Sequence, residues 1–136
     1  MNPDQKRHLT TTLCMVEKNL AHKENLLRSQ GEKGVLYEIV DTFHEEQRRE
    51  LLARIEQLRE HLAQVQDQFG LAVERTDIRS IFKGALNMLW VWLQESKTKK
   101  LRGYGTVDEG LDQDLDPLVE KMASLIDEVL KILAET

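Results

Sequence analysis

Lys97, Lys99, Lys100 and Arg102 put four cations within six residues, and Tyr104 follows them between Gly103 and Gly105. Cations beside an aromatic ring suit a phosphate or carboxylate ligand that carries a stacking group. The same residues have a structural use, because cations at a helix C-terminus interact favourably with the macrodipole. The acidic run that follows, Asp108, Glu109, Asp112, Asp114 and Asp116, can answer them. Tyr37 and Glu38 stand in the other stretch that does not read as helix, VLYEIVDT from Val35 to Thr42. If the two stretches meet, Tyr37, Glu38, Lys100, Arg102 and Tyr104 form a ligand-binding set of aromatic walls, one carboxylate and two cations. The plain alternative is that these loops only seal the end of a core.

Other chemistry is not spelled out by residue type and spacing. His8, His22, His44 and His61 show no tight ligand spacing, and no glutamate is followed three residues later by a histidine, as a di-iron bundle would need. No zinc-protease, Cys-x-x-Cys, nucleophile-elbow or phosphate-loop motif is present. No metal site and no cofactor are expected, and no catalytic residue stands out. Cys14 has no basic cluster beside it in sequence to hold a thiolate, so it reads as an incidental thiol. Ser80-Ile-Phe-Lys-Gly84 is similar over five residues to the HxxKG core of histidine phosphotransfer domains, which are themselves four-helix bundles. Ser80 stands where that family's phosphorylated histidine belongs, so the resemblance implies no phosphotransfer and is not read as membership.

Composition bounds the rest. The chain has 136 residues, 40% apolar and 32% charged, with two prolines and seven glycines. That mix favours one helical domain, residues 1–136, with a core of its own. A net charge of −5 gives no general pull towards nucleic acid or anionic membrane. The longest apolar run, Met88 to Leu93, is far short of a membrane span. The start, MNPDQKRHL, leads into a charged amphipathic segment and not into an apolar signal core. With a single cysteine as well, a cytoplasmic location is expected.

Four amphipathic segments would position these residues. Leu9, Leu13, Val16, Leu20 and Leu27 form a narrow stripe on a first helix from about Asp4 to Ser29, with Lys23 at a place where the stripe expects an apolar residue. Gly31 and Gly34 are expected to end it. Val35–Thr42 reads as a short strand or an extended segment, with continued helical turns as the lesser alternative, and pairing of Val35–Val40 with Tyr104–Val107 would make a small ribbon. Thr42 with Glu45 matches a capping box. Leu51, Ile55, Leu58, Leu62, Val65 and Phe69 then keep a strict 4-3-4-3-4 spacing. Glu45–Arg49 and Glu50–Arg54 are spaced to support that helix.

Thr76 or Asp77 is expected to cap a third helix, Ile78 to Leu93, whose apolar arc is wider than a two-helix seam requires. Trp90 lies at the margin of that arc and Val91 outside it. Asp116 as cap and Pro117 as first residue are expected to begin the last helix.

The expected fold is all-α, an antiparallel up-down-up-down four-helix bundle with short irregular or strand-like elements at one end. Its helix content should exceed roughly 65%. The expected function is a non-enzymatic helical interaction module that self-associates as a homodimer, with Trp90 and Val91 at the contact and room for a protein partner. The alternative is a protein or enzyme that binds a small anionic ligand near residues 35–40 and 97–105. The overall acidity argues against nucleic acid.

Overall fold

The computed structural model describes residues 1–135. It is mostly helical, 74%, with five α-helices and one two-stranded sheet. The chain divides into two compact units, Met1–Glu74 and Arg75 onwards. Each is built on one antiparallel pair of helices.

In the first unit α1 spans Pro3–Ser29 and α2 spans Glu45–Phe69, with strands β1 (Gly31–Lys33) and β2 (Glu38–Val40) between them. Asn2 opens α1 with a full capping box: its side chain accepts from the Gln5 N–H, and the Gln5 side chain accepts from the Asn2 N–H. Pro3 takes the first helical position, where a missing N–H costs nothing. At the other end Gln30, not a glycine, takes the left-handed capping conformation.

The strands pair antiparallel, Gly31 with Val40, Glu32 with Ile39 and Lys33 with Glu38. The extended reading of VLYEIVDT therefore holds for Glu38–Val40, but the partner is the chain just after α1 and not Tyr104–Val107. A local hairpin closes four residues, Gly34 to Tyr37, and that small loop costs far less entropy than one joining distant segments. Two glycines permit it. A Cβ on Gly31 would run into the carbonyl oxygen of Ile39, and one on Gly34 into the Tyr37 ring.

Arg48 fastens this hairpin to α2. Its Nε and Nη2 donate to Asp41 Oδ2 at 3.1 and 2.8 Å, Nη2 also to the Phe43 carbonyl, and Nη1 to Glu45. The capping box of α2 is consequently displaced from Thr42/Glu45. His44 is the cap and Gln47 its reciprocal partner, because Asp41 and Arg48 already fix the chain that precedes the helix. Glu45 pairs with Arg48 rather than Arg49, and Arg54 bonds Gln57. Further along, Arg59 bonds Glu24 across the two helices at 2.8 Å.

These arginines hold the carboxyls of Asp41 and Glu24 below their ordinary range, the hydrogen bond from the guanidinium being the largest cause in both. A carboxyl depressed in the fold binds fewer protons there than in the unfolded chain. Its contribution is complete above the ordinary carboxyl range of about 3.9–4.3 and is lost as pH falls through the depressed values. Stability to urea should therefore decline from about pH 4 downwards. Arg48→Gln should lower the midpoint near neutrality and flatten that decline, as followed by circular dichroism between pH 6 and pH 2.

The second unit contains α3 (Ile78–Gln94), a short α4 (Thr98–Leu101) followed by a 3-10 turn (Arg102–Tyr104), and α5 (Leu111–Ala134). Asp77 caps α3 by accepting from the Arg79 N–H at 2.7 Å. The last helix starts earlier than its Asp-Pro signal. Gly110 is its cap, and Pro117 lies inside, where its ring denies the Gln113 carbonyl the usual helical donor. Asp116 is spent elsewhere. Its Oδ1 accepts from the N–H and the hydroxyl of the buried Thr98, at 2.9 and 3.0 Å, and so closes the start of α4 against α5. The basic run expected as loop is thereby given a turn of helix.

Candidate functional site

The helices α3 and α5 run antiparallel. The Arg79 guanidinium, at the start of α3, donates to the carbonyls of Leu133 and Glu135 at 2.7 Å. At the other end Lys97 pairs with Glu120, and Thr98 bonds Asp116. Between these anchors the pair packs through one row from each helix. On α3 the row is Phe82, Leu86, Leu89 and Leu93, with Leu86 only 7% exposed and Leu93 half-buried, while Phe82 and Leu89 remain 48% and 40% exposed. On α5 it is Val119, Ala123, Ile126, Leu130 and Leu133, with Val119 only 1% exposed. Both rows keep 4-3 spacing, the pattern of one helix seam.

A second row accompanies each of these, one residue earlier in the chain. On α3 it is Ile78, Ile81, Ala85, Met88 and Trp92, and all five are exposed, Trp92 at 57%. On α5 it is Leu118, Met122, Leu125, Val129 and Ile132, and all but the half-buried Val129 are exposed, Leu125 at 58%. A step of one residue is a rotation of roughly 100°. Both rows are rotated in the same sense from their contact rows, and the helices run in opposite directions, so both open rows come to the same side of the pair. The result is one continuous apolar face two helices wide. The width of the α3 arc thus has a cause: the helix carries two seams, and α5 occupies one.

The area involved is large. Eight large apolar residues of the open rows are each 46–69% exposed. An ordinary monomer leaves its largest patch at ~300–600 Å², and a standard interface takes ~800 Å² from each partner. The outer flank of the face on α3 consists of Ser80, Gly84, Asn87 and Val91, with the capping residue Glu95 just beyond, and a Cβ on Gly84 would meet nothing within 4 Å. The lysine of the HxxKG-like pentapeptide, Lys83, lies away from this face on the helix wheel.

Trp90 and Val91 fall on either side of this surface. Val91 borders the open row of α3, whereas Trp90, 40% exposed, lies beyond the contact row on the far flank. Trp92 is the tryptophan in the open row. The sequence does place Trp92 on an apolar arc. Only the position of α5 divides that arc into an occupied half and an open half.

The proposed ligand-binding residues fall into two groups. Tyr37 and Glu38 belong to the hairpin of the first unit. The Tyr37 hydroxyl donates to Glu32 at 3.0 Å, which raises the phenol's pKa, and Glu38 pairs in register with Lys33. Lys100, Arg102 and Tyr104 are brought together on α4 and its 3-10 turn in the second unit. Lys100 lies 3.7 Å from Glu95, and Tyr104 is 92% exposed. Arg102 edges a wide, shallow depression with Gly105, Thr106 and Val107.

Among the described residues the first unit carries at least three concavities, one of about 290 Å³ beside Lys6, Arg7, Gly70 and Val73 and two more. One, of about 380 Å³, lies between the hairpin and the helices and is lined by apolar residues such as Leu20, Leu27, Ile39, Phe43 and Ile55, with Lys23 and Asp41 at its edge. The other, of about 200 Å³, includes Cys14 beside Glu74. The hydrogen bond to Glu74 is the main cause that raises the Cys14 pKa, so the thiol is kept protonated and is a poor nucleophile.

Among the described residues no helix is long and apolar enough to cross a membrane. Comparison of the chain with protein-family models, with curated proteins and with solved structures finds no match, so the functional reading rests on this geometry alone.

Proposed function

We propose that this protein is a helical interaction module that self-associates through the open face of α3 and α5. The observation that carries the reading is the second 4-3 row on each helix, one residue before the occupied row and on the same side of the pair. A pair of helices with such a face is half of a four-helix core. A second copy supplies the other half with the same two helices. The up-down-up-down bundle expected within one chain is the rival closure: α1 and α2 would fill the same face and leave a monomer.

The two tryptophans provide the test. In Trp90→Phe the only indole is Trp92, in the open row. Its emission should shift to longer wavelength as the protein is diluted from about 100 μM towards the nanomolar range, because dissociation wets it. In Trp92→Phe the remaining Trp90 should change little. A Trp92 signal independent of concentration, or a response confined to Trp90, would remove this face from the association.

A further inference from the structure

The face also determines how two copies meet, an inference that rests on the self-association proposed above. We infer that the dimer axis runs parallel to the helices, so that α3 of one protomer lies on α5 of its partner, and that Glu95 and Lys121 form a reciprocal ion pair across the contact.

The heights of the residues along the pair lead to this arrangement. Lys97 meets Glu120 at one end, and Arg79 meets the Leu133 and Glu135 carbonyls at the other. With the same rise per residue on both helices, Trp92 comes close to the height of Met122, Ala85 to that of Val129 and Ile81 to that of Ile132. Rotation about an axis parallel to the helices preserves height. The open row of α3 then meets the open row of α5 from the other copy residue against residue, and small Ala85 faces branched Val129. Each contact occurs twice, as a closed two-fold interface requires.

Charge agrees with this register. Within α3 the outer flank of the open row, Ser80, Gly84, Asn87 and Val91, is uncharged, and charge stands just beyond its ends, at the capping residues Asp77 and Glu95. On α5 the corresponding flank is Pro117, Lys121, Ser124, Glu128 and Lys131, and of its charged residues Lys121 is the one close to the height of Glu95. Among the described residues Glu95 has only a loose partner within its own chain, Lys100 at 3.7 Å with both side chains more than half exposed. The other two-fold arrangement, with its axis across the helices, lays α3 on α3 and α5 on α5 and brings Glu95 nowhere near Lys121.

The test uses Glu95→Lys and Lys121→Glu in the full-length chain. Each variant alone places like charges at both copies of the pair, so its homodimer should weaken about tenfold at low ionic strength. Mixed together, the two variants restore both ion pairs, and they should form a heterodimer at least tenfold tighter than either homodimer. Native mass spectrometry of an isotope-labelled mixture reads this directly, and the preference should fade in high salt. Both side chains are exposed, and circular dichroism of each variant should match the parent. A parent that associates while the mixture shows no heterodimer preference overturns the register but leaves self-association standing. A parent that stays monomeric overturns both.

Discussion

Met88→Glu combined with Leu125→Glu is expected to raise the dimer dissociation constant at least a hundredfold while leaving the helical content of each chain intact. Both side chains are in the open rows and more than half exposed in the single chain, so a carboxylate at either position is solvated within the protomer. In the dimer each substitution occurs twice, at the centre of an apolar contact. Burial of a large apolar side chain contributes ~1.5–3 kcal/mol, and a desolvated, unpaired carboxylate costs more than that gain. Two such positions in two copies exceed the ~2.7 kcal/mol that a hundredfold change requires. The check is light scattering of the variant beside the parent, together with a urea melt. A variant that unfolds would mean that the open rows hold the chain itself together.

Leu86→Ala should have the opposite signature. Leu86 belongs to the occupied row and is buried against α5. Truncation leaves a cavity, for which the expected loss is ~2–5 kcal/mol of folding stability. A single domain has only ~5–15 kcal/mol in all, so part of the helical signal should melt well below the parent's midpoint. Leu86 and Met88 are two residues apart on one helix, yet one should report on folding and the other on association. Similar losses of stability from Leu86→Ala and Met88→Ala would contradict the division of α3 into two rows.

Much of the fold is legible in the sequence, and what is not has physical reasons. The four long helices follow from apolar spacing, and the excess width of the α3 arc follows from residue spacing alone. Which part of the arc is occupied depends on the angle at which α5 docks, and a single helix wheel does not contain that angle. For this reason Trp90 looks marginal in sequence, whereas Trp92 occupies the open row. Asp116-Pro117 is a strong helix-start signal, yet Gly110 starts the helix, because the Asp116 carboxylate is recruited by Thr98. Local rules cannot anticipate a partner eighteen residues away. His44 displaces Thr42 as cap for a similar reason, once Asp41 and Arg48 have fixed the approach to α2. The partner of β2 is the least legible element. Gly31 and Gly34 look like helix stops, and their role in a tight hairpin shows only when Ile39 and Tyr37 come back against them.

The central claim is that the open face of α3 and α5 is covered by a second copy of the chain. Sedimentation equilibrium of the unmodified protein from about 1 to 200 μM tests this most directly. A mass that rises from the 15.8 kDa of one chain to twice that value and then levels off is the predicted result. A mass that stays at 15.8 kDa across the range would contradict the account.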